Sequence, residues 1–475
     1  MKRCGIILLA ALAAHAARVP TAARVNALIN ASPVSRAAFW GVEVHDLDSG
    51  REVLQLNSQH FFVPASNTKL FTTALALTRL GADFQVETVV NALAPPDAEG
   101  RIAGSLKLVG AGDPNLSGRP IPYDPETPKL DPLTAMRDLA RQLFDRGVRS
   151  VAGDVIGDDT RFAYEPYGPG WGVDDPATSD GAAVSALAVN DNSISLKVEP
   201  ALLTFVPALP VFTVENQIVS GPEREIHINR EAGSTTLRLW GTMPPTDKGE
   251  TFSLGVDDPA RFAALALIAA LREQGITVAG NAVALHRYQG SPASPVSQTA
   301  IVLATHRSPP LIEDLRVTDK VSQNLHAEIL LRLVGQGSRR DGLKTLAEFV
   351  SQAGIGKDDL NFYDGSGMSR LNVVTPHAIV QLLQFMSKSP LAADFASLLP
   401  IAGVDGSLRL RFANSKAKGK VFAKTGSLSH TSALSGYAVR RNGHRLAFAI
   451  LVNNYNGPSK DIRDTIDRIC ALLVE

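Results

Sequence analysis

Strand signals occur at both ends of the chain, and neither end carries enough of them to stand alone. Near the start, "AFWGVEVHDL" and "REVLQLN" flank a turn at Asp48-Ser49-Gly50. Near the finish, "KVFAKTGSL", "ALSGYAVRR" and "HRLAFAILVNN" follow one another, with Asn442-Gly443 between the last two. Asn-Gly between apolar runs is a strong hairpin signal, whereas an isolated two-stranded piece is marginal in water. The economical solution is one antiparallel sheet built from both ends of the chain. A helical pattern beginning near Ser66 and a closing one, with Ile462, Ile466, Ile469 and Leu473 along one side, then pack on it.

That arrangement obliges the middle of the chain to leave the sheet and return. Residues 310 to 420 read as helical, with amphipathic runs at "QNLHAEILLRLVG", "GLKTLAEFVSQAG" and "TPHAIVQLLQFMSK". Residues 87–295 read as short strands ("GSLKLVG", "SISLKVEP", "REIHINR", "TTLRLWG"), interrupted by helices near 132–147 and 258–274. They are expected to form a β-rich insertion of two subdomains into a domain made of 24–86 and 296–475. A length of 475 residues suits two or three domains.

Several functions are disfavoured by composition. Net charge is 0 and no basic run stands out, so nucleic acid is not an expected partner. Lys2 and Arg3, the apolar run "GIILLAALAA" and the small-x-small site Ala14-His15-Ala16 predict a signal peptide, residues 1–16, with Ala23 as a later cleavage alternative. The apolar run is too short to span a bilayer, and no later segment reads as a transmembrane anchor. Export to the periplasm is expected, with at most loose attachment to membrane or wall. Cys4 would leave with the signal, and Cys470 reads as a core residue in the last helix, so no intramolecular disulfide is expected. "VDDPATSD" and "DGSG" match no EF-hand loop and no His-Glu-x-x-His occurs, so neither metal nor cofactor is expected. Trp40, Trp171 and Trp240 read as packing residues.

Three short motifs carry chemistry. In "FFVPASNTKLFTTALALTRLG", Ser66 opens the apolar helix and Lys69 follows one turn later. Positions i and i+3 share a helix face, so Lys69 reaches the Ser66 oxygen and serves as its base once deprotonated by burial or by a second cation. Ser66 is expected to be both helix cap and nucleophile. In "DKVSQNLHAEILLRLVG", Ser322 and Asn324 stand at a helix entry; Ser322 is a candidate proton relay, and Asn324 would orient Lys69 or a substrate amide. In "KVFAKTGSLSHTS", a strand carries Lys424, Thr425 and Gly426. They offer positive charge, a hydroxyl and close backbone approach to a substrate. The N–H of Ser427 with that of Ser66 would make an oxyanion hole. Each motif alone is common; a second Ser-x-x-Lys lies at Ser415 to Lys418. The ordered set Ser-x-x-Lys, Ser-x-Asn, Lys-Thr-Gly is a signature of class A β-lactamases and penicillin-binding proteins.

Taken with the blocks "LVGAGDPNLS" (108–117), "GWGVDDP" (170–176), "VSALAVNDNS" (184–193), "DGSGMSR" (364–370) and "LPIAGVDGSL" (399–408), the mature chain resembles the D-alanyl-D-alanine carboxypeptidase/endopeptidases of the penicillin-binding protein 4 type. The resemblance implies an α+β fold, with a penicillin-recognising serine transpeptidase/β-lactamase-like domain and β-rich inserted domains. It implies attack by Ser66 on peptidoglycan stem peptides ending in D-Ala-D-Ala or on D-Ala cross-links, and acylation by β-lactam antibiotics. By position the acting residues are Ser66, Lys69, Ser322 and Asn324, with Lys424, Thr425, Gly426 and Ser427 on the substrate. Asp174 or Asp175, with Asp175 preferred, would contact the stem-peptide amine. Departures are Gln323 where Asp is common, Ala111 where Gly is frequent and Met368 where Leu is usual. No separate deacylating glutamate is matched, which disfavours an efficient β-lactamase. A serine β-lactamase or esterase on the same fold, and a non-enzymatic cell-wall binding protein, are the competing readings.

Overall fold

The central sheet is assembled from both ends of the chain. In the computed structural model, which describes residues 21–127, 130–231, 233–291 and 300–475, its strands run Glu52–Leu56, Phe39–Asp46, Arg445–Asn453, Thr431–Val439, Val421–Leu428, every neighbour antiparallel. The expected signal peptide and Cys4 lie outside the described residues. Among those described, no helix is long and apolar enough to cross a membrane.

Alternation along Arg445–Asn453 divides two cores. Leu446, Phe448, Ile450 and Val452 face the closing helix Ser459–Leu473 through Ile462, Ile466, Ile469 and the buried Cys470. Ala447, Ala449 and Leu451 face the other way, onto the helices Thr68–Leu80 and Pro376–Lys388. Period-two alternation is what allows one strand to serve two layers. The small alanines on the second face let the helices approach closely. Helix Thr68–Leu80 is buried from Thr68 through Leu77, so its polar side chains are enclosed and must find partners inside the protein.

The intervening residues form two further bodies. A five-stranded sheet in the order Ala282–Arg287, Val155–Ala163, Leu106–Val109, Glu87–Ala92, Ile301–Arg307 packs against helices Thr134–Asp145 and Pro259–Glu273. Two three-stranded sheets enclose a smaller core around Leu196, Leu237 and Leu239. Strand Ile301–Arg307 pairs with Glu87–Ala92, so the chain stays in this sheet past the boundary expected at 296. Its alternation was too irregular to assign from sequence.

Two local expectations are corrected. Ser66 is not the helix cap: it sits in a 3-10 turn, Ala65–Asn67, and the α-helix begins at Thr68. Ala65 has φ +49°, a left-handed conformation unusual for alanine, and it turns the chain sharply just before Ser66. Trp240 is not a core residue: it is 42% exposed and stacks on His227 across a sheet surface, ring centroids 5.3 Å apart.

One side chain joins the sheet to the segment that leads into Ser66. Asn453, at the end of its strand, accepts from the Val63 N–H at 2.8 Å and donates to the Val63 carbonyl at 3.2 Å. Asn453→Ala leaves both backbone groups of Val63 unpaired. It is expected to cost about 1–3 kcal/mol, read as a lower urea midpoint with an unchanged m value.

Candidate active site

The three motifs converge on one cleft. Lys69 Nζ lies 3.0 Å from Ser66 Oγ, 2.6 Å from Asn324 Oδ1 and 2.6 Å from the Ser366 carbonyl. Lys424 Nζ donates to Ser322 Oγ at 2.8 Å and to the Thr425 carbonyl at 2.9 Å. Both lysines are fully buried. Thr425 Oγ1 meets Ser407 Oγ at 2.8 Å, which places the "LPIAGVDGSL" block beside the Lys-Thr-Gly strand. Ser427 lies exposed on that strand, opposite Ser432.

Lys69 is set for deprotonation. Burial is the largest effect on it and pushes its pKa down to about 8, against the opposing pull of Asp364, Asp319, Glu328 and Asp180. As a neutral amine it has two N–H bonds and one lone pair. Asn324 Oδ1 and the Ser366 carbonyl are acceptors only and take the two N–H bonds. The lone pair is left for the Ser66 hydroxyl. Lys424 is also pushed down, first by burial and then by the charge of Lys69, while Asp319 is pulled up to about 7 by burial. Burial and the charge of Lys69 both disfavour a charged Lys424, and a substrate carboxylate would favour it.

The acceptors around Lys69 have their own supports. Asn324 opens the helix Asn324–Val334, and Gln323, rather than Ser322 or Asn324, caps it by accepting from the Leu325 N–H at 3.0 Å. Gln323, where Asp is common, thus has a defined local task. One turn on from Asn324, Glu328 Oε1 accepts from the N–H groups of Gly365 and Ser366, each at 2.9 Å, and a turn later Arg332 pairs with Glu328 at 3.1 Å. Asp364 accepts from the N–H groups of Gly367 and Ser369, from Asn372 and from the Trp171 indole at 3.0 Å. These bonds lock the 364–370 turn that aims the Ser366 carbonyl. Burial, and then the charge of Glu328, push Asp364 up to about 6.

Two glycines are required by contact with the turn that carries Ser66. A Cβ at Gly426 would lie 2.6 Å from the Pro64 carbonyl, and one at Gly367, where φ is +84°, would lie 1.9 Å from the Ala65 carbonyl. Gly426 was expected to admit a substrate; it first admits the Ser66 turn. Asn67 Nδ2 donates to the Lys424 carbonyl at 3.0 Å and closes the same contact.

Asp175 stands further out. Its Oδ2 accepts from the Gly172 N–H at 2.6 Å and pairs with Arg370 at 3.0 Å. Asp180, not singled out from the sequence, lies nearer: its carbonyl accepts from Asn324 Nδ2 at 3.0 Å and its carboxylate acts on Lys69. Ser366, Glu328, Asp364, Asp319 and Arg370 also went unassigned. Only "DGSGMSR" gave a signal, as a block with no role attached. The second Ser-x-x-Lys, at Ser415, lies in a turn region away from these groups.

Comparison with known proteins followed the same lines. Residues 21–473 match the family model for the D-Ala-D-Ala carboxypeptidase 3 (S13) family. The chain is 35% identical over 452 residues to a D-alanyl-D-alanine carboxypeptidase of Actinomadura sp. (strain R39), covering 90% of this chain and 80% of that protein. The crystal structure of penicillin binding protein 4 from Haemophilus influenzae superposes with a TM-score of 0.79 at 24% identity, over 94% of this chain and 98% of that one. The same protein complexed with a novel β-lactam gives 0.72 at 23% identity, over 94% and 98%.

A base with a pKa near 8 has a kinetic signature. The Ser66 acylation rate is expected to rise about tenfold per pH unit below that value and level off above it. Lys69→Arg, whose guanidinium does not deprotonate, is expected to lose about 100-fold or more at every pH, measured by stopped-flow with a chromogenic cephalosporin.

Proposed function

The chain belongs to the D-Ala-D-Ala carboxypeptidase 3 (S13) family, and from that premise we propose how its residues do the work of a serine peptidase of peptidoglycan. Neutral Lys69 takes the proton of Ser66 as Oγ attacks the carbonyl of the penultimate D-alanine. The N–H groups of Ser66 and Ser427 hold the oxyanion. The C–N bond breaks, Ser322 passes its proton to the leaving nitrogen, and Lys424 replaces that proton. The acyl group now sits on Ser66, and the proton that Lys69 took returns to Lys424, which restores both lysines; neutral Lys69 then deprotonates water, and its proton goes back to Ser66 Oγ as the acyl–oxygen bond breaks.

The carrying observation is the three-way contact of Lys69 Nζ, with two fixed acceptors and one hydroxyl. Lys424 and Thr425 receive the terminal carboxylate, and Gly426 keeps their strand against the Ser66 turn. Asp175, with Arg370 beside it, is the reading for the stem-peptide amine. The substrates are stem peptides ending in D-Ala-D-Ala and D-alanyl cross-links. β-Lactams react at the same serine and leave a slow acyl-enzyme. We read the chain as exported to the periplasm by its first residues.

Labelling with a fluorescent penicillin tests the assignment. A stable adduct is expected in the wild type and in Ser415→Ala, and none in Ser66→Ala. Penicillin consumed without an adduct would indicate a β-lactamase; penicillin left intact would indicate a binding protein.

A further inference from the structure

A cavity of about 520 Å³ opens against the turn that carries Ser322. Val321, Ser322 and Gln323 form one wall, and Ser66 and Lys69 are not part of its lining. The opposite wall comes from the insertion: Ser193 and Ser195 on one strand, Ser253 on its neighbour, and Asp180 at the mouth. This volume falls within the range of sites that enclose small organic ligands, and free D-alanine would fill only a small part of it.

The chemistry of the lining is mixed in a specific way. Arg119 lies at the floor with only 9% of its side chain exposed, paired to Asp191. Its Nε–H, buried, has no hydrogen-bond partner. An unmet donor on a buried guanidinium is costly unless something binds there. Asp191 is held in turn by His326 at 3.1 Å, and His326 by Asp314 at 2.6 Å, so the guanidinium is fixed from below. Asn190, Asp191 and Asn192 all have φ near +50°, which bends the "VSALAVNDNS" block around this floor. At the rim, Leu130, Val206 and Val321 are exposed at 62%, 47% and 40%. The lining therefore offers the remaining N–H of a guanidinium already paired to Asp191, an anion in Asp180 for an ammonium, hydroxyls for amides and aliphatic surface for a carbon chain.

We propose that this cavity seats the amine-donating stem peptide of a D-alanyl cross-link, the part that departs when the Ser66 acyl-enzyme forms. That peptide is zwitterionic with aliphatic segments, and its nitrogen is the one that takes the proton from Ser322 as the C–N bond breaks. Terminal D-alanine, the other leaving group, is held at the Lys-Thr-Gly strand and has no use for the cavity. The inference rests on Ser66 as nucleophile and Ser322 as proton donor. It adds where the second strand lies, and hence what makes the enzyme an endopeptidase as well as a carboxypeptidase.

The test compares a purified cross-linked muropeptide dimer with an uncross-linked pentapeptide, using the full chain. Ser253→Trp, at an exposed strand position, fills the cavity. Arg119→Lys keeps the charge facing Asp191 and removes the Nε–H. Each is expected to lower kcat/KM for the dimer about tenfold or more through KM, with pentapeptide trimming and penicillin acylation within about twofold of wild type. Variants that acylate penicillin normally and cleave the dimer at the wild-type rate would overturn the cavity's role alone. So would a parallel fall for dimer and pentapeptide, or a wild type that trims pentapeptide and leaves the dimer intact. A wild type that forms no penicillin adduct would instead overturn Ser66 as nucleophile, and the cavity's role with it.

Discussion

The burial of Lys69 is the constraint on which the rest of the structure depends. An ammonium removed from water is costly unless its partners are good, and a lysine that serves as a base must still be able to lose its proton. The two demands oppose each other. Surrounding the group with carboxylates would keep it charged; surrounding it with apolar atoms would leave its N–H bonds unmet. The structure places neutral acceptors in contact, Asn324 Oδ1 and the Ser366 carbonyl, and keeps the carboxylates of Asp364, Asp319 and Glu328 one step behind. Glu328 and Asp364 also hold the turn that presents the Ser366 carbonyl, while Asp319 accepts from the Thr73 hydroxyl on the Lys69 helix.

This explains why helix Asn324–Val334 carries polar residues on a face that is half-buried at Asn324 and fully buried at Glu328 and Arg332. Asn324, Glu328 and Arg332 recur every four residues, and each passes its burden to the next: lysine to amide, turn to carboxylate, carboxylate to guanidinium. Arg332 ends the series on the Glu165 carbonyl of the insertion, at 2.8 Å. Removing one member strands the others inside the protein. Such series are costly to break because a lone buried charge loses both water and its partner.

Much of the sheet was legible because its signals are local. Asn442-Gly443 requires a hairpin, alternation assigns the faces, and the shortage of strands at either end forces the two ends together. Ser66, Lys69, Ser322, Asn324 and Lys424 could be singled out because their order is a known signature, and the structure brings them into one cleft. What escaped was contact made across long gaps in sequence. Nothing local to Gly426 says that its missing Cβ faces Pro64, and nothing in "DGSG" says that the Ser366 carbonyl reaches Lys69. The cap was misassigned for a related reason: Ser is a good N-cap, but a 3-10 turn held by Asn67 and Gly367 moved the helix start two residues on. The boundary expected at 296 falls short of strand Ile301–Arg307, whose partner, Glu87–Ala92, is remote in sequence.

The insertion takes part in this economy and is more than an appendage. Trp171 donates to Asp364, the Asp180 carbonyl accepts from Asn324, and Arg332 reaches Glu165. Each contact runs from the insertion to a group that positions Lys69 or its acceptors. A chain interrupted just after the helix that follows Ser66 would gain little by separating the two bodies, since the buried Asp364 and Arg332 and the half-buried Asn324 would lose partners together. The same junction supplies the wall facing Ser322. One interface therefore meets two needs: it satisfies polar groups that hold the acceptors of Lys69, and it walls the cavity beside Ser322.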